Sequence, residues 1–455
     1  MNPTIKQTNN KSKSIRDLLS GDAILIIIAF TGLCLIGLIR NQIATVRFDD
    51  FPCFYIAAKC VIKGNASDAY PIAAELNNRH PGFAAASFMR PTYQACANNA
   101  GFSDPPRFIY PPLLLLIISP IGFLNYESAC LVFLIVSIAC VCLSAVLAST
   151  FLPKIGINQP WAQSVFVLGV CWLPLAWASV RICNTSAISG LFITLAVWGL
   201  LNGRNWISGL AVVIAMGVKF TSLPLLAYIL LTGKWRVAYT AFISSLIAAF
   251  VLIAFLGWCT IQNFINIAPR LGIINQESLS IPSIIIREFG DSFIGLAKTI
   301  SWLGAICFLT PVVYLSVCLH QSGYLEKNVR CQLILMATLY QIFLIFSVST
   351  HYHYYLYMIP FCPLLFLFIK ASWFGAILGI LLLINFSIPL EGETFIARLA
   401  ISMTKSIDGG ALDIQQIISF VKNWHMIIAT IISYLVSIYS ILFFYRVSAN
   451  PKKLH

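Results

Sequence analysis

The sequence predicts an all-α polytopic membrane protein with about 11–13 transmembrane or half-membrane helices and a long first extracytoplasmic loop. The 455 residues are 59% hydrophobic and only 10% charged, whereas a soluble domain carries about 25% charged residues. Apolar runs recur nearly end to end without a polar linker, which indicates one membrane-embedded domain over residues 1–455. The net charge of +13 is typical of cytoplasmic loops that orient membrane proteins, so it does not indicate nucleic-acid binding.

The first apolar run, 23–39, follows a basic tail at 1–22 that we expect to be cytoplasmic. No small-x-small cleavage site follows the run, which favours a retained anchor. The later apolar segments, in chain order, are 110–124, 127–150, 161–178, 186–201, 206–217, 220–232, 236–257, 293–319, 331–349, 353–369, 372–389 and 424–446.

Simple alternation of these segments places GRN (203–205) and GKWR (233–236) on opposite sides, although both are typical of cytoplasmic loops. The conflict disappears if 110–124, which is short and contains three prolines, is re-entrant or interfacial. Segments 206–217 and 220–232 then form a V-shaped hairpin that enters and leaves on the cytoplasmic side. Such broken helices are tolerated where they line a polar cavity.

This topology collects the unusual polar residues on the outer face or at the hairpin tip. They are Asp49 and Asp50, Arg107 and Tyr110, Arg181 and Asn184, Asn275, Glu277, Ser278, Arg287 and Glu288, His351 and His353, and Lys219 at the tip. The acid pair is also consistent with solvation of a helix end, the histidines with an aromatic belt, and the arginines with surface ion pairs. Lys219 is harder to explain this way, because an ionisable residue at membrane depth usually faces a cavity or a partner.

The 14 cysteines are scattered and show no CxxC pair or Cys/His metal spacing, so most are typical of small core residues. Cys53, Cys60 and Cys96 share the long first loop, where a disulfide depends on an oxidising compartment. We predict no metal site and no cofactor.

Five stretches together resemble, in order, an integral-membrane glycosyltransferase family. They are DFPCFYIAAKCVIKGNASDAY (50–70), FIYPPLLLLIISPIGFL (108–124), SGLAVVIAMGVKFTSLPLL (208–226), NQESLSIPSIIIR (275–287) and STHYHYY (349–355). The family is the polyprenyl-phosphate-sugar-dependent glycosyltransferase family eighty-seven of the GT-C structural class, whose members are mainly alpha-mannosyltransferases. Two stretches depart from its pattern: CNTSAISG (183–190) lacks the usual Gly-Gln or Asn-Gln pair, and Ser349 and Thr350 stand where a tryptophan is common.

The resemblance implies inverting transfer of a hexose, most commonly mannose, from a polyprenyl-phosphate donor to a cell-envelope glycolipid or glycan. It places the catalytic base at Asp50, with Asp49 as a neighbour that raises the pKa of Asp50 or has no role. Lys219 takes the place of a donor-phosphate ligand, and the further candidates for donor or substrate binding are Arg287, His353, His351, Tyr110 and Asn275. The expected partners are the lipid-linked donor, the acceptor and membrane lipids, without nucleic acid. The expected location is a bacterial inner membrane, with the active site extracytoplasmic.

Two other functions fit parts of the sequence. A transporter or lipid flippase also has broken helices and intramembrane polar groups, but the two halves show no repeat. An envelope polymer ligase or polymerase also uses lipid-linked sugars, but the late loop at 391–422 is short for that class.

Overall fold

The computed structural model describes residues 50–72, 89–103, 106–171, 179–180, 182–268, 280–347, 352–365 and 414–449. Every regular element in these ranges is helical, which confirms the predicted all-α fold. The predicted anchor at 23–39 and the segment at 372–389 lie outside the described residues.

The α-helices in the described ranges are α1 Phe51–Ile62, α2 Pro91–Asn99, α3 Pro112–Ile118, α4 Tyr126–Ser149, α5 Phe151–Lys154, α6 Pro160–Cys171, α7 Ser186–Leu201, α8 Asn205–Val218, α9 Leu223–Leu231, α10 Trp235–Leu256, α11 Trp258–Ile267, α12 Ile281–Phe289, α13 Ile294–Gln321, α14 Tyr324–Lys327, α15 Val329–Phe346 and α16 Ile414–Ala449. Short 3-10 helices cover Ala66–Ala69, Ser119–Phe123, Phe220–Ser222, Asp291–Phe293 and Tyr352–Phe361.

Five of the described helical stretches are long and apolar enough to cross a membrane. They are Tyr126–Lys154, Trp235–Leu256, Ile294–Gln321, Val329–Phe346 and Ile427–Arg446. Of these, α15 is buried along most of its length, whereas α10 exposes large side chains such as Phe250 (72%) and Phe255 (74%). Helix α15 is therefore central in the bundle, and α10 has the exposed apolar surface expected of a lipid-facing helix.

The two short helices α8 and α9 form the hairpin that the sequence predicted. Helix α8 has 14 residues, about 21 Å at 1.5 Å per residue, which is shorter than the hydrocarbon core of about 30 Å. One surface pocket is lined jointly by the start of α8 and the start of α10, namely Gly203, Arg204, Asn205, Trp206, Trp235, Arg236, Tyr239 and Thr240. Because α9 leads directly into α10, the chain enters and leaves the hairpin at the same level.

Close helix contacts fix the position of the hairpin. Helix α8 packs against both α7 and α10. A Cβ atom added to Gly209 would lie 2.7 Å from Thr240 Cβ and 2.8 Å from the backbone nitrogen of Ala241, so only glycine permits this approach. Small residues play this part where membrane helices meet.

The stretch after Tyr110 forms only a short helical segment. Helix α3 and the following 3-10 helix together span only Pro112–Phe123, too short for a full crossing of about 20 residues. The prolines explain the shape, since Pro112 is the first residue of the helix and Pro120 lies in the first turn of the 3-10 helix.

Three regions that the sequence assigned to loops contain helices. Helices α11 and α12 occupy parts of 258–292, α1 and α2 lie within 40–109, and α16 begins at Ile414 inside 391–422. Helix α11 buries one face, formed by Thr260, Phe264 and Ile267, and exposes the other. The uniform apolar runs used to find membrane segments do not detect this amphipathic pattern.

The contact at Gly209 gives a test of hairpin packing. We expect Gly209→Ala to lower the free energy of unfolding by about 1–3 kcal/mol, because the added methyl group forces α8 away from α10. The measurement is thermal unfolding of the detergent-solubilised protein.

Gly169→Ala is the matched control. Gly169 lies inside α6 with nothing within 4 Å of an added Cβ atom, so the same substitution should leave stability unchanged or raise it by about 0.5–1 kcal/mol. Equal effects at the two positions would contradict the packing argument.

Candidate active site

Asp50 precedes a rigid helix at the edge of the core. It is the N-cap residue of α1, yet its side chain makes no capping bond to that helix. Helix α1 is held by aromatic packing: the ring centroids of Phe51 and Phe54 lie 5.3 and 5.6 Å from that of Phe133. The carboxylate instead accepts a hydrogen bond from Asn184 Nδ2 at 2.5 Å.

Asn184 and Ser186 form the second part of the site at the start of α7. Both are buried, with exposures of 2% and 0%. Asn184 Oδ1 accepts hydrogen bonds from the backbone nitrogen of Ser186 at 2.8 Å and from Ser186 Oγ at 2.7 Å. The first bond is an Asx turn, a local device that lets asparagine fix its own side chain.

Lys219 reaches this pair from the tip of the hairpin. It ends α8 in an extended conformation (φ −162°, ψ 139°), which turns the chain toward α9. Its Nζ atom donates hydrogen bonds at 3.3 Å to both Asn184 Oδ1 and Ser186 Oγ. The same atom lies 4.0 Å from the ring centroid of Tyr354 and 5.8 Å from that of Tyr110, within range of cation–π attraction.

Hydroxyl groups tie the hairpin tip to α7 and to the 3-10 helix Tyr352–Phe361. Thr221 Oγ1 lies 2.7 Å from Ser189 Oγ. The hydroxyl of Tyr357, which is fully buried, donates to Ser186 Oγ at 3.1 Å. Packing and hydrogen bonds therefore hold the ammonium group in place.

We call Asp50, Asn184, Ser186, Lys219, Tyr110, Tyr354 and Tyr357 the polar cluster. It combines one carboxylate, one ammonium group, an amide and several hydroxyls, and both charged side chains remain partly exposed. Such a set is able to remove a proton and to stabilise a developing negative charge. Among the described residues, no group of three or more His, Cys, Asp or Glu side chains is arranged to hold a metal ion.

The structure brings some of the predicted site residues together and leaves others apart. Asp50, Lys219 and Tyr110 belong to the polar cluster. Arg287 lies instead in the last turn of α12, with its Nε atom 3.9 Å from Glu288 Oε1. Of His353 only the backbone is described, within the 3-10 helix. The predictions for Asp49, His351 and Asn275, together with Arg181, Glu277 and Ser278, lie outside the described residues.

Sequence reasoning missed Ser186, Tyr354 and Tyr357 as members of the cluster and did not connect Asn184 to Asp50. The tyrosines lie in the stretch HYHYY, whose histidines were chosen as candidates because of their position in the family motif. The signal for Asn184 was its position just before an apolar segment, a place that equally suits a helix cap.

The cysteines of the first loop are buried, and their thiols are free in the structure. Cys53 Sγ donates to the backbone oxygen of Asp50 at 3.0 Å. Burial raises the pKa of the Cys53 thiol, and the nearby Asp50 charge raises it further, so this group is a neutral neighbour of the carboxylate near pH 7.

Fold and site together define an integral-membrane, all-helical protein with a polar site at the tip of a hairpin of two short helices. The family model for glycosyltransferase family 87 matches residues 108–347, more than half of the chain. The chain belongs to this family, and its class of activity is glycosyl transfer between a donor and an acceptor. A search of curated proteins finds no match.

Family membership favours glycosyl transfer over the transporter and flippase alternatives. The matched range includes Asn184, Ser186 and Lys219, whereas Asp50 and the 3-10 helix Tyr352–Phe361 lie outside it. The Asp50 carboxylate lies outside the matched range in sequence, but the fold brings it into contact with Asn184 inside that range.

The hydroxyl of Tyr357 gives a test of the cluster as a unit. We expect Tyr357→Phe to lower the rate of glycosyl transfer roughly fivefold, equivalent to about 1 kcal/mol, because Ser186 and the hairpin tip lose an anchor. The measurement is the initial rate of transfer in detergent or liposomes.

Tyr355→Phe is the control. Its hydroxyl lies 3.0 Å from Thr430 Oγ1, also buried, so both variants should lose a similar amount of stability, about 0.5–1.5 kcal/mol. A rate loss that merely tracks the loss of stability in both variants would contradict a role for Tyr357 in the site.

Proposed function

We propose that this protein transfers a hexose, mannose in the first instance, from a polyprenyl-phosphate donor to a hydroxyl group of a cell-envelope glycolipid or glycan, with inversion. The observation that carries the proposal is that Asp50 and Lys219 bind opposite ends of the same amide, that of Asn184. A base and a cation are thereby held on either side of one amide, as a reaction that removes a hydroxyl proton and releases an anionic leaving group requires.

Asp50 acts as the general base. It takes the proton from the acceptor hydroxyl while the oxygen bonds to the anomeric carbon. The bond between that carbon and the phosphate oxygen breaks, and its electron pair stays on the phosphate. Inversion requires one carboxylate as base, and the polar cluster contains one. Asp49, which precedes Asp50 in the sequence, is the second candidate for this role.

Lys219 stabilises the departing phosphate. Negative charge grows on the phosphate oxygens as the bond breaks, and a cation fixed beforehand lowers the barrier without reorganising. The rings of Tyr354 and Tyr110 and the acceptors at Asn184 and Ser186 hold the ammonium group. The N-terminus of α7, a helix of 16 residues, adds a positive dipole at the same place.

The hairpin also supports transfer on the outer side of the membrane. A hairpin that enters from one face presents Lys219 toward the other face. The basic ends of the hairpin, Arg204 and Arg236, then lie on the cytoplasmic side by the positive-inside rule. The acceptor meets the donor on the extracytoplasmic side, in a bacterial inner membrane. Mannose is favoured by the family resemblance of the sequence.

A transfer assay with a panel of polyprenyl-phosphate sugars tests donor class and sugar at once. Transfer from polyprenyl-phosphate mannose is the expected result. Transfer only from a nucleotide sugar would overturn the donor assignment, and transfer of a different hexose would replace mannose.

Asp50→Asn tests the base. We expect the rate of transfer to fall by about 10²–10⁴-fold, because the amide does not accept the proton, while the protein still binds the donor. The matched control is Asp68→Asn in the same loop, where Asp68 Oδ2 accepts from Thr92 Oγ1. Wild-type rates in Asp50→Asn would exclude Asp50 as the base.

Lys219→Met tests the phosphate contact. We expect the donor KM to rise by about 10–100-fold and kcat to fall, because a charge-assisted contact worth about 1.5–3 kcal/mol is removed. The acceptor KM should stay within twofold. Lys63→Met is the control, since Lys63 is exposed on the same loop as Asp50. An equal loss for donor and acceptor would argue against a phosphate role.

A further inference from the structure

The amide of Asn184 has a fixed orientation. Its oxygen accepts three hydrogen bonds, two from Ser186 and one from Lys219 Nζ. Its nitrogen donates to Asp50 Oδ2. A flipped amide would point its NH₂ group at three donors and its oxygen at a carboxylate, so the network admits one orientation only.

We propose that Asn184 is a positioning residue that joins the catalytic carboxylate to the phosphate-binding lysine while keeping the two from pairing directly. This inference rests on the proposed function and adds a role that the base and the cation do not themselves supply. Its basis is the sharing of one buried amide between the two charged groups.

A direct ion pair in this position would be counterproductive. An ammonium group in contact with a carboxylate favours the ionised form of that carboxylate. The pKa of the carboxylate falls, and the carboxylate becomes a weaker base. The same contact would also occupy the cation that the phosphate needs. With Asn184 between them, the ammonium group binds the amide oxygen and the carboxylate binds the amide NH₂ group, so each keeps its charge available to substrate.

The groups that surround Asp50 determine how its protonation responds to a change at Asn184. Among the described residues, the titratable groups that interact electrostatically with it include Lys219 at the hairpin tip, Tyr110 before α3, Cys53 on α1 and Cys183 before α7. Tyr354 and Tyr357 of the 3-10 helix in turn interact with Tyr110. Burial raises the pKa values of Tyr110, Cys53 and Cys183. These three groups are therefore neutral near pH 7, and among the described neighbours Lys219 supplies the opposing charge.

Asn184→Asp is the decisive variant. The new carboxylate keeps the acceptor for Ser186 and Lys219 but replaces the NH₂ donor with an oxygen facing Asp50. Repulsion raises the pKa of Asp50, so the acid limb of the pH–rate profile should move up by about one pH unit or more. The measurement is kcat/KM for polyprenyl-phosphate sugar against pH.

Asn125→Asp is the matched control. Asn125 Oδ1 accepts from the backbone nitrogen of Ser128 in an exposed N-cap, so the same chemical change there preserves the bond and should leave the profile in place. An acid limb at the wild-type pH in a folded Asn184→Asp variant would overturn the proposal.

Asn184→Ala provides a second, opposite signature. It removes the link on both sides and exposes Asp50 to the ammonium group, so kcat should fall at least tenfold and the acid limb should move to lower pH. A loss of rate without any shift indicates a structural role only, and it overturns the proposal even if Asn184→Asp does not fold. Thermal unfolding of each variant shows that the folded protein is being measured.

Failure of this inference is distinguishable from failure of the proposed function. If the wild-type protein does not transfer sugar from any polyprenyl-phosphate donor, the proposed function is wrong. If it does so and requires Asp50, while both Asn184 variants keep the wild-type acid limb, the function stands and the positioning role is wrong.

Discussion

The hydrogen bonds of one buried amide connect three parts of this protein that lie far apart along the chain. Asn184 joins Asp50, 134 residues before it, to Lys219, 35 residues after it. The three side chains belong to different elements, and no regular secondary structure links them. Packing must therefore hold the start of α1, the start of α7 and the hairpin tip within a few tenths of an ångström, or the network is lost.

The rest of the fold can be understood as support for that meeting point. Helix α1 is buried on nearly all sides, so the N-cap at Asp50 has little freedom to move. Helix α8 of the hairpin packs against both α7 and α10, and Gly209 permits the close approach to α10. Because α8 is shorter than the membrane is thick, its C-terminal end, with Lys219, stops inside the protein. If α8 were long enough to cross the membrane, a lysine at its C-terminal end would lie beyond Asn184 and would not contact it.

Much of this architecture was accessible from the sequence, for a physical reason. A helix that spans lipid must be apolar over most of its length, so the run 236–257 predicts α10 to within a residue at each end, and 186–201 coincides with α7. The hairpin was predicted from charge, because the basic loops 203–205 and 233–236 lie on the same side of the membrane only if the two segments between them enter and leave on that side. Helix α11 was not predicted, because an amphipathic helix at a surface resembles a polar loop when only uniform apolar runs are sought.

The site was accessible only in part, because hydrogen bonds across long sequence separations leave no periodic trace. Asp50 and Lys219 were found as costly charges in an apolar chain, a property each carries alone. The role of Asn184 depends entirely on its hydrogen bonds to Asp50 and Lys219, which the sequence does not reveal. In the sequence, Tyr354 and Tyr357 resemble ordinary interfacial aromatic residues. Only the fold distinguishes Tyr357, which bonds Ser186, from Tyr355, which bonds Thr430.

The shell around Lys219 also explains how the chain tolerates a cation at the tip of an apolar hairpin. Removing an ammonium group from water costs several kcal/mol unless other groups replace the lost hydration. Here two oxygen acceptors and the face of Tyr354 replace the lost water contacts of the ammonium group. Asp50 supplies the opposing charge without contacting the ammonium group directly. A direct salt bridge would stabilise the lysine at least as well. The intervening amide is therefore better explained by the need for two separately available charges than by stability alone, and a polar cluster that served folding only would have no use for that separation.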